Sequence, residues 1–384
     1  MVNKTYKQSL KLHKKHSGKL EVASKVPLKN KKDLSLAYTP GVAGVCLAIS
    51  NNPKLTREYT IKNNSVAIVS DGSAILGLGN LGALAAIPVM EGKAVIFKNF
   101  GGVDAFPICL DTQNTEEIIK AVKQIAPVFG GINLEDISAP RCFEVEERLR
   151  KELNIPVMHD DQWGAATVCL AALINALKLA KIKKENVKVV IAGVGAAGVA
   201  TGRLLHSYGI TNTIFCDSKG IINKKRTDLT KEKKELLKGS TLKERSGTLA
   251  DALIDVDVFI GLSRPRTLTE DMIKSMNNKP IIFTLANPTP EIMPEEAHKA
   301  GAFIVATGRS DYPNQINNSL VFPNAFKAML DYNIPQFENK IFMTIAKALA
   351  DVIKKPNKEN IIPSMFDKKA GHAVYKAVAS LAKK

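Results

Sequence analysis

Two neighbouring carboxylates, Asp160 and Asp161, stand at the end of the apolar run Ile155-Pro156-Val157-Met158, and a second acidic pair, Glu135-Asp136, precedes them. Adjacent carboxylates repel one another and call for a counter-charge, which a divalent metal supplies. Glu135, Asp136 and one of Asp160/Asp161 would offer three oxygen ligands to Mg²⁺ or Mn²⁺, ions that prefer octahedral oxygen sites and leave positions for substrate. The simpler reading of Glu135-Asp136 is helix capping ahead of Arg141. His159 hints at zinc, but no second histidine or cysteine has suitable spacing. Lys93, between Gly92 and an apolar stretch, reads either as an exposed strand-start lysine or as a base whose pKa burial lowers. Tyr38, in Ala37-Tyr38-Thr39-Pro40-Gly41, is either packing or a phenolic acid.

A second constellation follows. Gly193-Val194-Gly195-Ala196-Ala197-Gly198 comes after an apolar strand and opens a helix, the context that a dinucleotide-binding fingerprint requires. Gly193 makes the turn, Gly195 admits the pyrophosphate and Gly198 lets helix and strand pack; Ala196 and Ala197 begin the helix whose N-terminus faces phosphate. Asp217 ends the next strand, where it can accept from an adenosine ribose. A carboxylate there repels a 2′-phosphate, so NAD is expected ahead of NADP, although Lys219, Lys224 and Lys225 lie close behind. Asn287-Pro288-Thr289 ends another strand, and Asn317-Asn318 follows the turn Gly308-Arg309-Ser310-Asp311. Strand ends of this kind line the ligand crevice of open α/β sheets.

These residues need a scaffold. Residues 1–65 read as polar helices and loops. Apolar runs at 65–70, 94–97 and 106–110 predict strands, and 115–129 and 141–153 predict helices. Residues 164–180 predict a long apolar helix. Strands at 187–192, 213–216, 256–260, 280–285 and 302–305 then alternate with helices, which implies a doubly wound parallel sheet. After Asn324 the chain turns helical. The expected division is 1–160 for substrate, metal and dimerisation, 161–325 for a Rossmann-type nucleotide domain, and 326–384 for helices returning to the first domain. The segment Gly77–Gly82 is expected to be a structural turn.

The bulk numbers narrow the class. A chain of 384 residues, 45% hydrophobic and 24% charged, suits two or three globular domains. The formal charge is +17 and only ten arginines contribute. No basic stripe with interleaved aromatics accompanies it, so a solvated lysine-rich surface is expected rather than nucleic-acid binding. Apolar stretches fall short of a membrane span, and the N-terminus lacks a secretory apolar run. The five cysteines form no C-x-x-C pair. Reduced thiols and a cytoplasmic location are expected.

The motifs coincide in order with one family. Tyr38-Thr39-Pro40-Gly41, Ile75-Leu76-Gly77-Leu78-Gly79-Asn80-Leu81-Gly82, Gly92-Lys93, Leu134-Glu135-Asp136, His159-Asp160-Asp161-Gln162, Gly193–Gly198, Asn287-Pro288-Thr289 and Asn317-Asn318 resemble those of the malic enzymes in their short bacterial form. The resemblance implies oxidative decarboxylation of L-malate to pyruvate and CO₂ with NAD or NADP and Mg²⁺ or Mn²⁺. It places Lys93 as general base and Tyr38 as general acid. Glu135, Asp136 and Asp161 fall on metal-ligand positions, Asp160 beside the lysine, and Asn287 and Asn318 on malate-contacting positions. It also implies a homodimer. One departure concerns Ala74, preceded by Ser73, where the long forms carry a carboxylate-binding arginine; Arg309 is the candidate replacement. Rival readings are a malolactic enzyme and a 2-hydroxy-acid dehydrogenase without decarboxylation.

Overall fold

The computed structural model describes residues 2–382. Its first sheet holds β1 (Ser65–Ser70), β2 (Asp104–Cys109), β3 (Gly131–Leu134) and β4 (Val157–His159), all parallel, in the order β2-β1-β3-β4. Parallel strands covered on both faces read as continuous apolar runs rather than alternating ones; β1, Ser-Val-Ala-Ile-Val-Ser, is buried throughout.

The second sheet holds β5 (Val189–Ala192), β6 (Thr213–Asp217), β7 (Gly220–Ile221), β8 (Val258–Gly261), β9 (Ile281–Thr284) and β10 (Ile304–Thr307). The order is β10-β9-β8-β5-β6-β7, parallel except for the short β7. The strand order reverses direction at β5 and β8, which is where a doubly wound sheet opens a ligand crevice beyond its carboxyl ends. The Rossmann-type expectation holds.

Two elements differ from expectation. Residues 94–97 are not a strand: the helix Ala83–Ile96 runs through most of them and carries Lys93. Its alanines, leucine and methionine are helix formers, and an apolar run of four residues cannot by itself separate strand from helix. The helix Asp160–Ala180 has 21 residues and is apolar enough to cross a membrane by length and composition, contrary to the expectation that apolar stretches fall short. It is instead buried against the helices Ala196–Tyr208 and Asn339–Val352, most of its residues inaccessible. An all-round apolar helix of this kind belongs in the core of a large protein.

The helices after residue 321 tie the halves together. Phe97 from the first half packs 4.7 Å from Phe322, Phe326 lies 5.1 Å from Phe337, and Trp163 stacks on Phe342 at 4.8 Å. All six rings are buried, and each is worth roughly 1.5–3 kcal/mol of apolar burial. A Cβ on Gly101 would overlap the Pro323 carbonyl, and one on Gly131 would press on the Phe326 ring.

The N-terminal arm behaves differently. The helices Lys31–Ala37 and Val42–Asn51 bury no residue. Leu28, Leu34, Leu36, Val42, Val45 and Leu47 are all exposed.

Candidate active site

Every acidic candidate lies at the carboxyl end of a strand of the first sheet. Glu135 and Asp136 follow β3, and Asp160 and Asp161 open the helix after β4. Leu134 pairs with His159 across the parallel ladder, so the two acidic pairs emerge side by side. The helix-capping reading of Glu135-Asp136 therefore fails.

Asp136 has φ 54°, the left-handed region that side chains other than glycine rarely adopt. Its N–H donates to Asp161 Oδ2 at 2.8 Å, and its carbonyl accepts from the Ala74 N–H at 2.9 Å. One oxygen each from Glu135, Asp136 and Asp161 lies within 4.8 Å of the others. Asp136 Oδ2 is buried with no hydrogen-bond partner. Burial, reinforced by the charge of Asp161, pushes the Asp136 carboxyl up to about 7. Three converging carboxylates with one orphaned oxygen fit a hard divalent cation.

Lys93 is 7% exposed, and its Nζ donates to Asp160 Oδ2 at 2.5 Å. The same ammonium pairs with Glu135 and lies 4.5 Å from the centre of the Phe322 ring. Burial pulls the ammonium down, but Asp160, Glu135 and Asp161 outweigh it and hold its proton more tightly than in ordinary lysine. The exposed strand-start reading of Lys93 is thus replaced by a buried helical lysine among acids.

Asp160 is fully buried. Its Oδ2 also accepts from the Asn318 side-chain amide, while Oδ1 has no partner. Gly164 stands one helical turn further on. A Cβ there would fall 2.0 Å from Asp160 Oδ1 and 3.0 Å from Asn318 Cβ. The missing side chain makes the room in which that carboxylate lies.

The fold thus gathers Lys93, Glu135, Asp136, Asp160, Asp161 and Asn318. Asn287 lies between the halves: its carbonyl would meet a Cβ on Gly77 at 2.7 Å, and its side-chain amide one on Gly308 at 2.8 Å. Gly77, at φ +74°, belongs to a tight turn bridged from Ile75 to Gly79, as expected of 77–82. Arg309 is not a free cation. Its guanidinium grips Asp311 through Nε at 2.9 Å and Nη2 at 2.6 Å, and Nη1 reaches only the Pro288 carbonyl. Tyr38 lies on the arm, 67% exposed, and makes no side-chain hydrogen bond among the described residues.

The nucleotide loop is built as the fingerprint requires. A Cβ on Gly193 would strike the Leu262 carbonyl at 2.3 Å, and one on Gly198 the Gly193 carbonyl at 1.9 Å. Nothing lies within 4 Å of a Cβ on Gly195, so that face is open to a pyrophosphate. Ala196 and Ala197 start the helix Ala196–Tyr208. Asp217 does not stand free as a ribose acceptor: Arg226 and Lys233 already hold it.

The sequence reading missed three supporting residues. Besides Gly164, Asn133 donates to Glu135 at 3.0 Å. Buried Glu146 accepts from the His159 N–H at 3.0 Å, Gln162 at 2.9 Å and the Trp163 indole at 3.1 Å. A signal for Glu146 existed, since it shares the helical stripe of Cys142, Val145 and Leu149, which faces inward.

Residues 17–118 and 112–150 match the malic enzyme N-terminal domain, and 163–382 match the malic enzyme NAD-binding domain. The chain belongs to the malic enzyme family. It is 50% identical to the bifunctional malic/malolactic enzyme of Bacillus subtilis, covering 98% of this chain and 92% of that protein. It is 51% identical to the NAD-dependent malic enzyme of Geobacillus stearothermophilus, covering 95% and 77%. The solved structure of an NAD-dependent malic enzyme from Thermotoga maritima superposes with a TM-score of 0.94 at 48% identity, covering 96% and 98%. This malic enzyme is thus an oxidoreductase with an NAD(P)-binding domain, in a family with both NAD- and NADP-dependent members.

Proposed function

We propose that the chain converts L-malate, with NAD or NADP, to pyruvate, CO₂ and reduced cofactor. The carrying observation is the buried Lys93–Asp160 pair beside the convergent oxygens of Glu135, Asp136 and Asp161. Those three carboxylates would hold Mg²⁺ or Mn²⁺, whose Lewis acidity favours charge developing on the C2 oxygen and then on the enolate. The loop Gly193–Gly198 would hold the dinucleotide, which would supply the acceptor for the C2 hydride.

Lys93 takes the hydroxyl proton, which requires it to act as a free amine. It starts as an ammonium held by Asp160, Glu135 and Asp161; a cation bound by Glu135 and Asp161 would weaken that hold. Asp160 keeps Nζ aimed, and the Asn318 amide fixes the same carboxylate oxygen. After CO₂ leaves, C3 needs one proton, and Tyr38 is the donor in this reading.

In this reading Tyr38 is brought to the site by a second copy. An arm with no buried residue and a row of exposed aliphatics has the character of an unfilled interface. We infer a homodimer in which each arm lies on its partner and brings Tyr38 to the partner's site. Residues 1–160 would then serve substrate, metal and dimer contacts, 161–325 the dinucleotide, and 326–384 would brace the two. The reading keeps the cytoplasmic location expected of free, reduced thiols.

Supplying malate, Mn²⁺ and either dinucleotide tests the reading. Reduced cofactor, pyruvate and CO₂ in equal amounts are expected. The relative named a malic/malolactic enzyme favours one second reading, lactate formation without net reduced cofactor. Oxaloacetate without CO₂ would indicate a plain dehydrogenase.

A further inference from the structure

His159 is fully buried directly before the acidic pair Asp160-Asp161, and no step of the proposed reaction uses it. Its ring Nε2 lies 3.2 Å from Asp161 Oδ2, a contact short of a well-aligned hydrogen bond, and among the described residues it has no other hydrogen-bond partner. The Cys142 thiol also borders the ring, but a thiol is a weak acceptor beside a carboxylate. The same Asp161 Oδ2 accepts the Asp136 N–H at 2.8 Å. One oxygen of a candidate metal ligand is thus approached from two sides.

Glu146 decides which ring nitrogen carries the proton. This residue of the helix Arg141–Glu152 accepts the His159 N–H on Oε1 at 3.0 Å. Its Oε2 accepts the Gln162 amide at 2.9 Å and the Trp163 indole at 3.1 Å. A carboxylate facing three donors only accepts, so Gln162 turns its NH₂ and not its carbonyl toward Glu146. That NH₂ also lies 3.0 Å from His159 Nδ1. Nδ1 is therefore the acceptor, and the ring proton belongs on Nε2, facing Asp161. Glu146, Gln162 and Trp163 are all buried, and Phe342 stacks on Trp163 at 4.8 Å, so the network is fixed by packing as well as by hydrogen bonds.

We propose that His159 is a positioning residue for the metal site: its Nε2–H, oriented by Glu146 through Gln162, holds the Asp161 carboxylate in the plane in which it meets a divalent cation. Outer partners of this kind orient metal ligands, and their loss typically costs roughly 10–100-fold in affinity. The inference rests on the reading of Glu135, Asp136 and Asp161 as a cation site.

Calorimetric titration of the full chain with Mn²⁺ tests it without turnover, with circular dichroism to check the fold of each variant. His159→Leu removes both ring nitrogens and should weaken Mn²⁺ by at least about tenfold. His159→Gln keeps an N–H donor for Asp161 and should recover most of that loss. Gln162→Leu frees the ring to move its proton to Nδ1 and should weaken Mn²⁺ by about threefold or more, which keeps the test open if His159→Leu misfolds. A folded His159→Leu or Gln162→Leu chain with wild-type Mn²⁺ affinity would overturn the proposal. So would a His159→Gln chain no tighter than His159→Leu, since a purely structural histidine predicts no rescue through the donor. A wild type that does not bind Mn²⁺, or an Asp161→Asn chain that binds it equally well, would remove the cation reading and this proposal with it.

Discussion

Asp160 and Gly164 share one space: a Cβ on Gly164 would lie 2.0 Å from Asp160 Oδ1, so the carboxylate that holds Lys93 exists in its position only because the residue one turn later has no side chain. Gly164→Ala must shift the carboxylate or the helix. The expected result is a loss of about a hundredfold in kcat, the scale of a 1 Å misplacement, with roughly 1–3 kcal/mol lost in stability from overpacking. Steady-state kinetics and urea unfolding of the variant check it; unchanged kcat would mean that the position of Asp160 does not matter.

Metal binding separates the two adjacent aspartates. A carboxylate oxygen of Asp161 belongs to the convergent set, whereas Asp160 Oδ2 is committed to Lys93 and Asn318. Asp161→Asn deletes a charged ligand and should weaken Mn²⁺ by at least about tenfold, and Asp160→Asn much less. Calorimetric titration with Mn²⁺ gives the answer, and the reverse order of effects would exchange the two roles.

Complementation tests the arm. Tyr38→Phe and Lys93→Ala homodimers should each be nearly inactive. Unfolded and refolded together, they should recover about a quarter of wild-type activity, because half the dimers are mixed and each mixed dimer has one intact site. No recovery, with mixed dimers present by mass spectrometry, would place Tyr38 in its own chain's site.

Acid stability has an identifiable contributor away from the site. His206 Nε2 lies 2.8 Å from Thr213 Oγ1, and burial pushes the imidazole down to about 4. A folded-state value below the unfolded one means the unfolded chain binds the proton first. The stability is therefore fully present above about pH 6.5 and is lost as pH falls toward 4. His206→Gln removes this dependence. Between pH 6.5 and 4.5 the wild type should lose roughly 1–2 kcal/mol more than the variant in urea unfolding; equal losses would show that His206 does not titrate with folding.

Much of the site could be read from the sequence because it sits at strand ends, where apolar runs stop and acids begin. Glu135-Asp136, Asp160-Asp161 and the 193–198 loop all have that form. What escaped depended on three-dimensional neighbours. Lys93 looked like a strand-start residue because Ala94–Phe97 is apolar by any period, and only packing against Phe322 and Asp160 defines its helix and burial. Asp217 looked like a free ribose acceptor because the cations that hold it come from a later loop and helix. Arg309 looked like an available cation until its partner Asp311, two residues on, was seen to occupy it. The arm that carries Tyr38, read as polar helices and loops, is in fact apolar over Lys31–Asn51 and exposed, and no single-chain pattern tells what would cover it.

The central claim is that a buried lysine, held by Asp160, is the base for malate oxidation. The most direct measurement is the turnover of Lys93→Ala with malate, Mn²⁺ and NAD⁺, alongside its Mn²⁺ affinity. The account predicts that kcat falls by about 10²–10⁴-fold, while the protein stays folded and binds Mn²⁺ at least as tightly as the wild type, one competing cation having been removed. Turnover within about threefold of wild type would contradict it, since a general base contributes far more than that.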